Sequence, residues 1–359
     1  MASIKKRPDG MYRARFKGPD GKERSKHFKR KTDADKWIEA QVTASNTGMW
    51  VTPASAKMTM EQWSERWLEG YGTRRPGTVR AARWHISVIN KTFGNRQIGL
   101  IRPSEIKAFT AALSKTYSKG STYAIYRRLV QLLGDAVEDG IIPRSPCGRK
   151  TSPPQPTQKP HWCDDKQVWA LYDAFPEHLR PAILLGAFAG LRVGEAAGLK
   201  VAVINFLGRV ITPSVQGEGQ ELKTTSSGAP IPVPADLTDL LSAYIKAYKG
   251  TTVVTDEDGR PTHAWTIERA VRECRDKVPG LAEMGFTFHD LRHFYASTLI
   301  AAGCSIKVVQ ARMRHAHAKT TLETYAHLFN STEDESRTAV ANVMRGRHEV
   351  IDAEAADET

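Results

Sequence analysis

Cysteine is scarce in this chain. Four residues, Cys147, Cys163, Cys274 and Cys304, lie far apart and form no CxxC pair, which argues against both a disulfide framework and a zinc ribbon. No stretch reaches the ~18–20 consecutive apolar residues that a bilayer span needs, and the opening MASIKKRPDG lacks the apolar segment of a signal peptide. The expectation is a cytoplasmic protein with no membrane partner. The usual enzyme signatures are also missing: there is no GxxxxGK[ST] loop, no GxSxG elbow, no complete GxGxxG and no HExxH, so ATP-driven and α/β-hydrolase readings fall. Acidic residues are the minority, 39 against 52 Lys and Arg in 359 residues, a formal charge of +13. With a pI near 9.6 and a mean hydropathy of −0.43, the chain calls for a polyanionic partner, nucleic acid ahead of an anionic membrane.

Length alone predicts two or three domains. Residues 1–31 carry twelve Lys and Arg against Asp9, Asp20 and Glu23. Tyr12, Ala14 and Phe16 alternate there with Arg13, Arg15 and Lys17, and GPDG turns the chain toward Arg24 and Lys26, the pattern of short strands with one packed and one cationic face. A helix starting near Thr32, with Ala34, Ile38 and Val42 at four-residue steps beside Trp37, would cover the packed face. Residues 1–50 thus read as a small ββ(β)α domain whose Arg13, Arg15, Lys17, Arg24 and Lys26 face DNA. Residues 57–142 read as a helical domain. It opens on the capping-box pair Thr59 and Gln62, with Trp63 and Trp67 in its core, followed by helices near 77–93, 103–115 and 120–139. Arg80, Arg83, Arg127 and Arg128 are its candidate phosphate contacts. Residues 143–160 hold six of the nineteen prolines and predict a semi-rigid linker that could reach on the order of 55 Å. Residues 161–345 form a third, mostly helical domain with short β-like pieces around 201–233, and 346–359 form an acidic tail.

The third domain carries the chemistry. AGLRVGEAAGL places Arg192 one helical turn from Glu195; Lys223 sits in ELKTTSSGAPIPVP; HDLRHFYAS contains His289, Arg292 and His293; RMRHAHAKTTLETYAH contains His315 and Tyr325. His289, Arg292 and His293, at i, i+3 and i+4, share one helix face and can converge on one anion. Two guanidiniums offer forked donors to phosphate oxygens, imidazoles add hydrogen bonds or move protons, and a phenol ten residues past His315 can attack phosphorus. Such a site needs neither metal nor cofactor. The histidines also contain an HxxxH spacing, but Arg292 lies within it and no carboxylate is placed as in HExxH, which disfavours zinc.

These four segments, in order, resemble the first-arginine, lysine-hairpin, HxxRH and final histidine-to-tyrosine boxes of the tyrosine site-specific recombinases of the phage integrase family. The resemblance implies a multidomain, mainly α chain: an arm-type DNA-binding domain, a SAM-like helical core-binding domain and a mixed, mostly α catalytic domain. It assigns Arg192 and Arg292 to clamping the scissile phosphate, Lys223 to protonating the departing 5′ oxygen, and Tyr325 to nucleophilic attack. His289 becomes proton acceptor or phosphate donor, His315 a further donor, and Glu195 and His293 supports. It further implies integration of a phage or mobile element at double-stranded attachment sites in a bacterial host's cytoplasm and nucleoid. Four protomers would act through a Holliday junction, with a host DNA-bending protein and an excisionase, and the segment past Asn330 docking on a neighbour. One departure stands out: the family usually has glycine immediately before the last histidine, where this chain has Arg314. Either the turn is altered and His315 displaced, or Arg314 adds a phosphate contact. A resolvase or invertase of the same chemistry, a relaxing topoisomerase and a non-catalytic DNA-binding regulator are the rival functions.

Overall fold

A computed structural model of the protein describes residues 2–156, 161–222 and 225–328. Lys223 and the expected tail segment past Asn330 lie outside them. The chain divides into two compact units, residues 1–158 and 159–359, and among the described residues no helix is long and apolar enough to cross a membrane.

In the first unit, β1 (Ala2–Lys6), β2 (Tyr12–Lys17) and β3 (Glu23–Phe28) form an antiparallel sheet in that order. Helix α1 (Lys31–Asn46) packs on it, burying Ala34 over Ala14 and Phe16. Val42, expected to help cover the sheet, is exposed; Trp50, beyond the helix, fills that role with its ring 6.2 Å from that of Phe16. Side chains directly opposite each other across strands share a face, and the register therefore divides the five basic residues expected on one DNA-facing surface. Arg13 pairs with Lys5 and His27, Arg15 with Ser25 and Lys17 with Glu23, all on the open face. Arg24 lies opposite Phe16 and Lys26 opposite Ala14, on the side of the sheet where α1 packs, Arg24 half-buried there and Lys26 exposed. Arg24 is held there by Asp20 at 2.8 and 2.5 Å and lies 4.8 Å from the Trp50 ring. Hence the open cationic face is Lys5, Arg13, Arg15 and Lys17.

After the single turn α2 (Pro53–Lys57), helices α3 (Met60–Tyr71), α4 (Pro76–Phe93), α5 (Pro103–Thr116) and α6 (Lys119–Glu138) form a bundle. The Thr59–Gln62 capping box forms in both directions, at 3.1 and 3.2 Å. Trp63 and Trp67 are core residues, their indoles donating to the Leu132 carbonyl at 2.8 Å and to Asp135 at 2.5 Å. Arg80, Arg83 and Arg127 are exposed. Arg128 is not: its guanidinium lies 4.8 Å from the Tyr71 ring and 5.4 Å from that of Trp67 and donates to Gln131 at 2.6 Å, so it serves packing. The start of the expected extended linker also behaves differently. Residues Arg149–Thr151 form a 3₁₀ turn whose Thr151 hydroxyl is buried 3.0 Å from the Tyr126 hydroxyl, and Tyr126 also donates to the Gly148 carbonyl. Buried hydroxyls demand partners, and satisfying these anchors the segment on the bundle despite its prolines.

The second unit contains α7 (Asp165–Ala174), α8 (Arg180–Ala189), α9 (Val193–Gly198), α10 (Ala235–Tyr248), α11 (Ala264–Arg275), α12 (Leu281–Met284), α13 (Phe288–Ala301), α14 (Ile306–Arg312) and α15 (Ala318–Tyr325). A small antiparallel sheet of β4 (Ile204–Asn205), β5 (Val210–Ile211) and β6 (Ile231–Pro232) sits between α9 and α10 in sequence. Its core is built on α8, buried along nearly its whole length, and α13. Gly186 lets the two helices approach, since a Cβ there would stand 3.0 Å from Leu291 and Phe288. A second cluster, Tyr295, Ile300, Val309, Met313 and Tyr325, fastens α14 and α15 to α13.

Candidate active site

Three chain segments meet at the site. Helix α8 ends at Gly190, whose φ of 60° is left-handed, and a Cβ there would lie 2.5 Å from the Tyr295 ring, so only glycine fits. The turn delivers Arg192 to the N-cap of α9. Glu195, three residues on, accepts from the Arg192 backbone N–H at 3.0 Å and from its Nη1 at 2.8 Å, while Nη1 also reaches Ser227 Oγ at 3.3 Å. Acidic residues favour the first turn of a helix; here that preference also fixes a guanidinium.

Helix α13 supplies the second segment. Asp290 caps it, accepting from the Thr287 backbone and hydroxyl at 2.7 Å, and so sets the phase in which His289, Arg292 and His293 emerge. Arg292 is 1% exposed, and its two terminal nitrogens donate to the carbonyls of Gly190 and Met313. Burial, reinforced by Arg192 and Arg314, lowers its pKa to about 9, the signature of a cation short of negative partners. His289 is pushed down by burial and by Arg292, and its ring stands 4.8 Å from that of His293.

The third segment is the α14–α15 connection. Helix α14 closes with the His315 N–H bonded to the Gln310 carbonyl and the Arg314 N–H to that of Ala311, a Schellman pattern that places Arg314 at the position glycine prefers. Its φ is 52°. The turn is therefore kept, and the side chain folds inward onto Glu195 at 2.5 Å. Both alternatives raised by the sequence, an altered turn and a phosphate contact, give way to an internal ion pair. His315 is not displaced from the cluster. Its Nδ1 lies 2.9 Å from Thr321 Oγ1, and burial, with Arg292 and Arg192, pushes its pKa to about 3.

Tyr325 ends α15 at 1% exposure, its hydroxyl 2.7 Å from His293 Nδ1 and its ring 6.1 Å from that of Trp162. Burial holds the phenol far above its usual range against the pull of Arg292. Burial and His289 push His293 to about 4, so its ring is neutral near pH 7 and shares a hydrogen bond with the Tyr325 hydroxyl whose direction its tautomer sets. Thus the structure brings together Arg192, Glu195, His289, Arg292, His293, His315 and Tyr325. The tyrosine's hydrogen-bond partner is His293, not His289. The sequence reading missed Gly190, Trp162, Thr321 and Ser227; only Gly190, in an AGLR turn, carried a local signal.

This constellation agrees with what the chain resembles elsewhere. Residues 161–332 match the phage integrase family model and residues 2–47 match that of the phage integrase N-terminal domain. The chain belongs to the phage integrase family. A tyrosine recombinase of Thermosipho africanus is 27% identical over 247 residues, covering 66% of this chain and 84% of that protein. Tyrosine recombinase XerC of Mycobacterium tuberculosis is 31% identical over 141 residues, 39% of this chain and 46% of that one. Among solved structures, the Tn1549 transposon integrase in complex with transposon right end DNA superposes with a TM-score of 0.66 at 21% identity, covering 80% of this chain and all of that one. A lambda integrase tetramer bound to a Holliday junction gives 0.62 at 18% identity, covering 92% and 96%. The chain is accordingly a tyrosine recombinase, with the mainly helical, multidomain fold expected of it.

Proposed function

We propose that the chain integrates a mobile DNA element by cutting and rejoining strands at two attachment sites, with Tyr325 as nucleophile. The observation that carries this reading is the Tyr325 hydroxyl at 2.7 Å from an imidazole on the same helix as the buried, charge-deficient Arg292. A phosphodiester supplies the negative charge the cluster lacks. Arg192 and Arg292 clamp its non-bridging oxygens, with His315 and His289 as further donors. The Tyr325 oxygen bonds to phosphorus as its proton passes to His293, beside His289, and the bond to the 5′ oxygen breaks. Lys223 protonates that oxygen. Bond energy is conserved in the 3′-phosphotyrosyl ester, so attack by a 5′ hydroxyl from the partner duplex reverses the step. Four protomers on two duplexes would complete exchange through a Holliday junction in the host cytoplasm, with a bending protein and an excisionase setting direction.

The N-terminal sheet favours an integrase over a resolvase, because its open face of Lys5, Arg13, Arg15 and Lys17 is separate from the chemistry and offers a second DNA contact. Recombination between two plasmid-borne sites, with and without residues 2–47, tests this. An integrase loses recombination while retaining cleavage of a core site; a resolvase or invertase keeps both. A regulator would bind DNA without cutting it, and a relaxing topoisomerase would need no matched partner site.

A further inference from the structure

Arg314 stands where the turn before His315 would favour glycine, and it is held in the left-handed region at φ 52°, a conformation that residues with a Cβ rarely adopt. Its side chain is fully buried. One terminal nitrogen meets Glu195 Oε2 at 2.5 Å and the Gly190 carbonyl at 3.4 Å, while Nε and Nη1 have no hydrogen-bond partner among the described residues. An arginine kept in a strained, dry and partly unsatisfied position calls for a reason beyond surface charge.

The contacts supply one. Glu195 is the carboxylate that holds Arg192, through its backbone and its guanidinium. The Gly190 carbonyl is the acceptor that Arg292 uses, and Arg292's other donor reaches the carbonyl of Met313, next to Arg314 in the chain. The neighbouring turn Thr225–Gly228 joins the same knot, Ser227 receiving Arg192 Nη1 and Ser226 donating to the Arg314 carbonyl at 3.3 Å each. One side chain therefore links the segment carrying Arg192 to the turn carrying His315. With Arg314 present, Glu195 is also shared between two cations, which leaves Arg192 charge available to an incoming anion.

We propose that Arg314 is a positioning residue of this recombinase: through Glu195 and Gly190 it sets the spacing of Arg192 from His315 and releases Arg192 to meet the charge on the scissile phosphate. The proposal rests on the phosphotyrosyl reading above. It separates Arg314 from a residue that merely stabilises the turn, because R314G removes the backbone strain while breaking the link.

The test is single-turnover cleavage of a nicked core-site duplex by the full chain, compared on an ordinary phosphodiester and on a methylphosphonate at the scissile position, which lacks the charged oxygen. R314G is expected to bind DNA within about twofold of wild type and to cleave the phosphodiester at least about tenfold more slowly, with the deficit shrinking to about threefold or less on the methylphosphonate. E195Q should show the same pattern. An R314G rate equal to wild type, or an equal loss on both substrates, overturns the proposal while leaving the phosphotyrosyl reading intact. A wild-type chain that forms no covalent adduct overturns both. Should R314G fail to give a cooperative melt, R314K is read in its place. It keeps a charge on Glu195 but not the contact with Gly190, so a selective loss on the phosphodiester supports the proposal and an unselective one overturns it.

Discussion

Arg292→Met separates the energetic cost of the active site from its benefit. The arginine is buried, and its pKa falls from 12.5 to about 9, a penalty of about 5 kcal/mol on the charged form at about 1.4 kcal/mol per pH unit. Against this stand its two donations to the carbonyls of Gly190 and Met313, worth about 1.5–3 kcal/mol each for a charged donor. The terms nearly cancel. Methionine has a stem of similar length and no charge, so the variant should keep its stability within about 2 kcal/mol, a shift of under about 8 °C for a unit of this size. Removing the clamp should nonetheless slow cleavage at least about a hundredfold. Thermal melting of the DNA-free protein and single-turnover cleavage are the paired assays. A fall of about 15 °C or more would show that the guanidinium is balanced by protein groups and is a structural keystone. Cleavage at the wild-type rate would show that it does not hold the phosphate.

Further outcomes follow from the same geometry. Tyr325→Phe should abolish the covalent adduct but keep DNA affinity, and the lost hydrogen bond to His293 should cost about 1 kcal/mol in melting experiments. Because the folded-state pKa values of His293 and His315 lie near 4 and 3, the unfolded chain takes up protons below pH 6.5 while the folded chain does not. Stability, measured as the melting temperature across a pH series, should therefore be full above pH 6.5 and fall steadily toward pH 4, and replacing His315 by Asn should flatten that slope. Trp63→Ala removes a buried indole and its bond to Leu132; it should destabilise the helical bundle by about 3–5 kcal/mol in urea titrations. Lys5→Ala and Arg13→Ala should reduce the salt dependence of arm-DNA binding, each lowering the slope by about one, whereas Arg24→Ala should act on the stability of the N-terminal domain.

The sequence made some of this plain and hid the rest for identifiable reasons. His289, Arg292 and His293 could be placed on one face because helical spacing fixes direction, and the Thr287–Asp290 cap that sets their phase is itself local. The Thr59–Gln62 box and the buried Trp63 and Trp67 were legible on the same grounds. Strand alternation held the answer for the side that Arg24 and Lys26 occupy, since Phe28, half-buried, continues it along β3. Reading charge density in place of period concealed it. The anchoring of Thr151 depends on Tyr126, and the inward turn of Arg314 depends on Glu195, 119 residues away in the chain. Neither contact has a local pattern. The choice of His293 over His289 as the tyrosine's partner is likewise decided by how α15 docks against α13.

The central claim is that Tyr325 forms a covalent ester with DNA. The direct measurement is incubation of the full chain with nicked duplexes carrying its core site, with EDTA and without ATP, followed by denaturation, digestion and mass spectrometry of the attached peptide. A denaturation-resistant adduct at a 3′ phosphate, mapped to Tyr325 and absent in Tyr325→Phe, is the expected result. Tight binding without an adduct, or an adduct that persists in Tyr325→Phe, would contradict it.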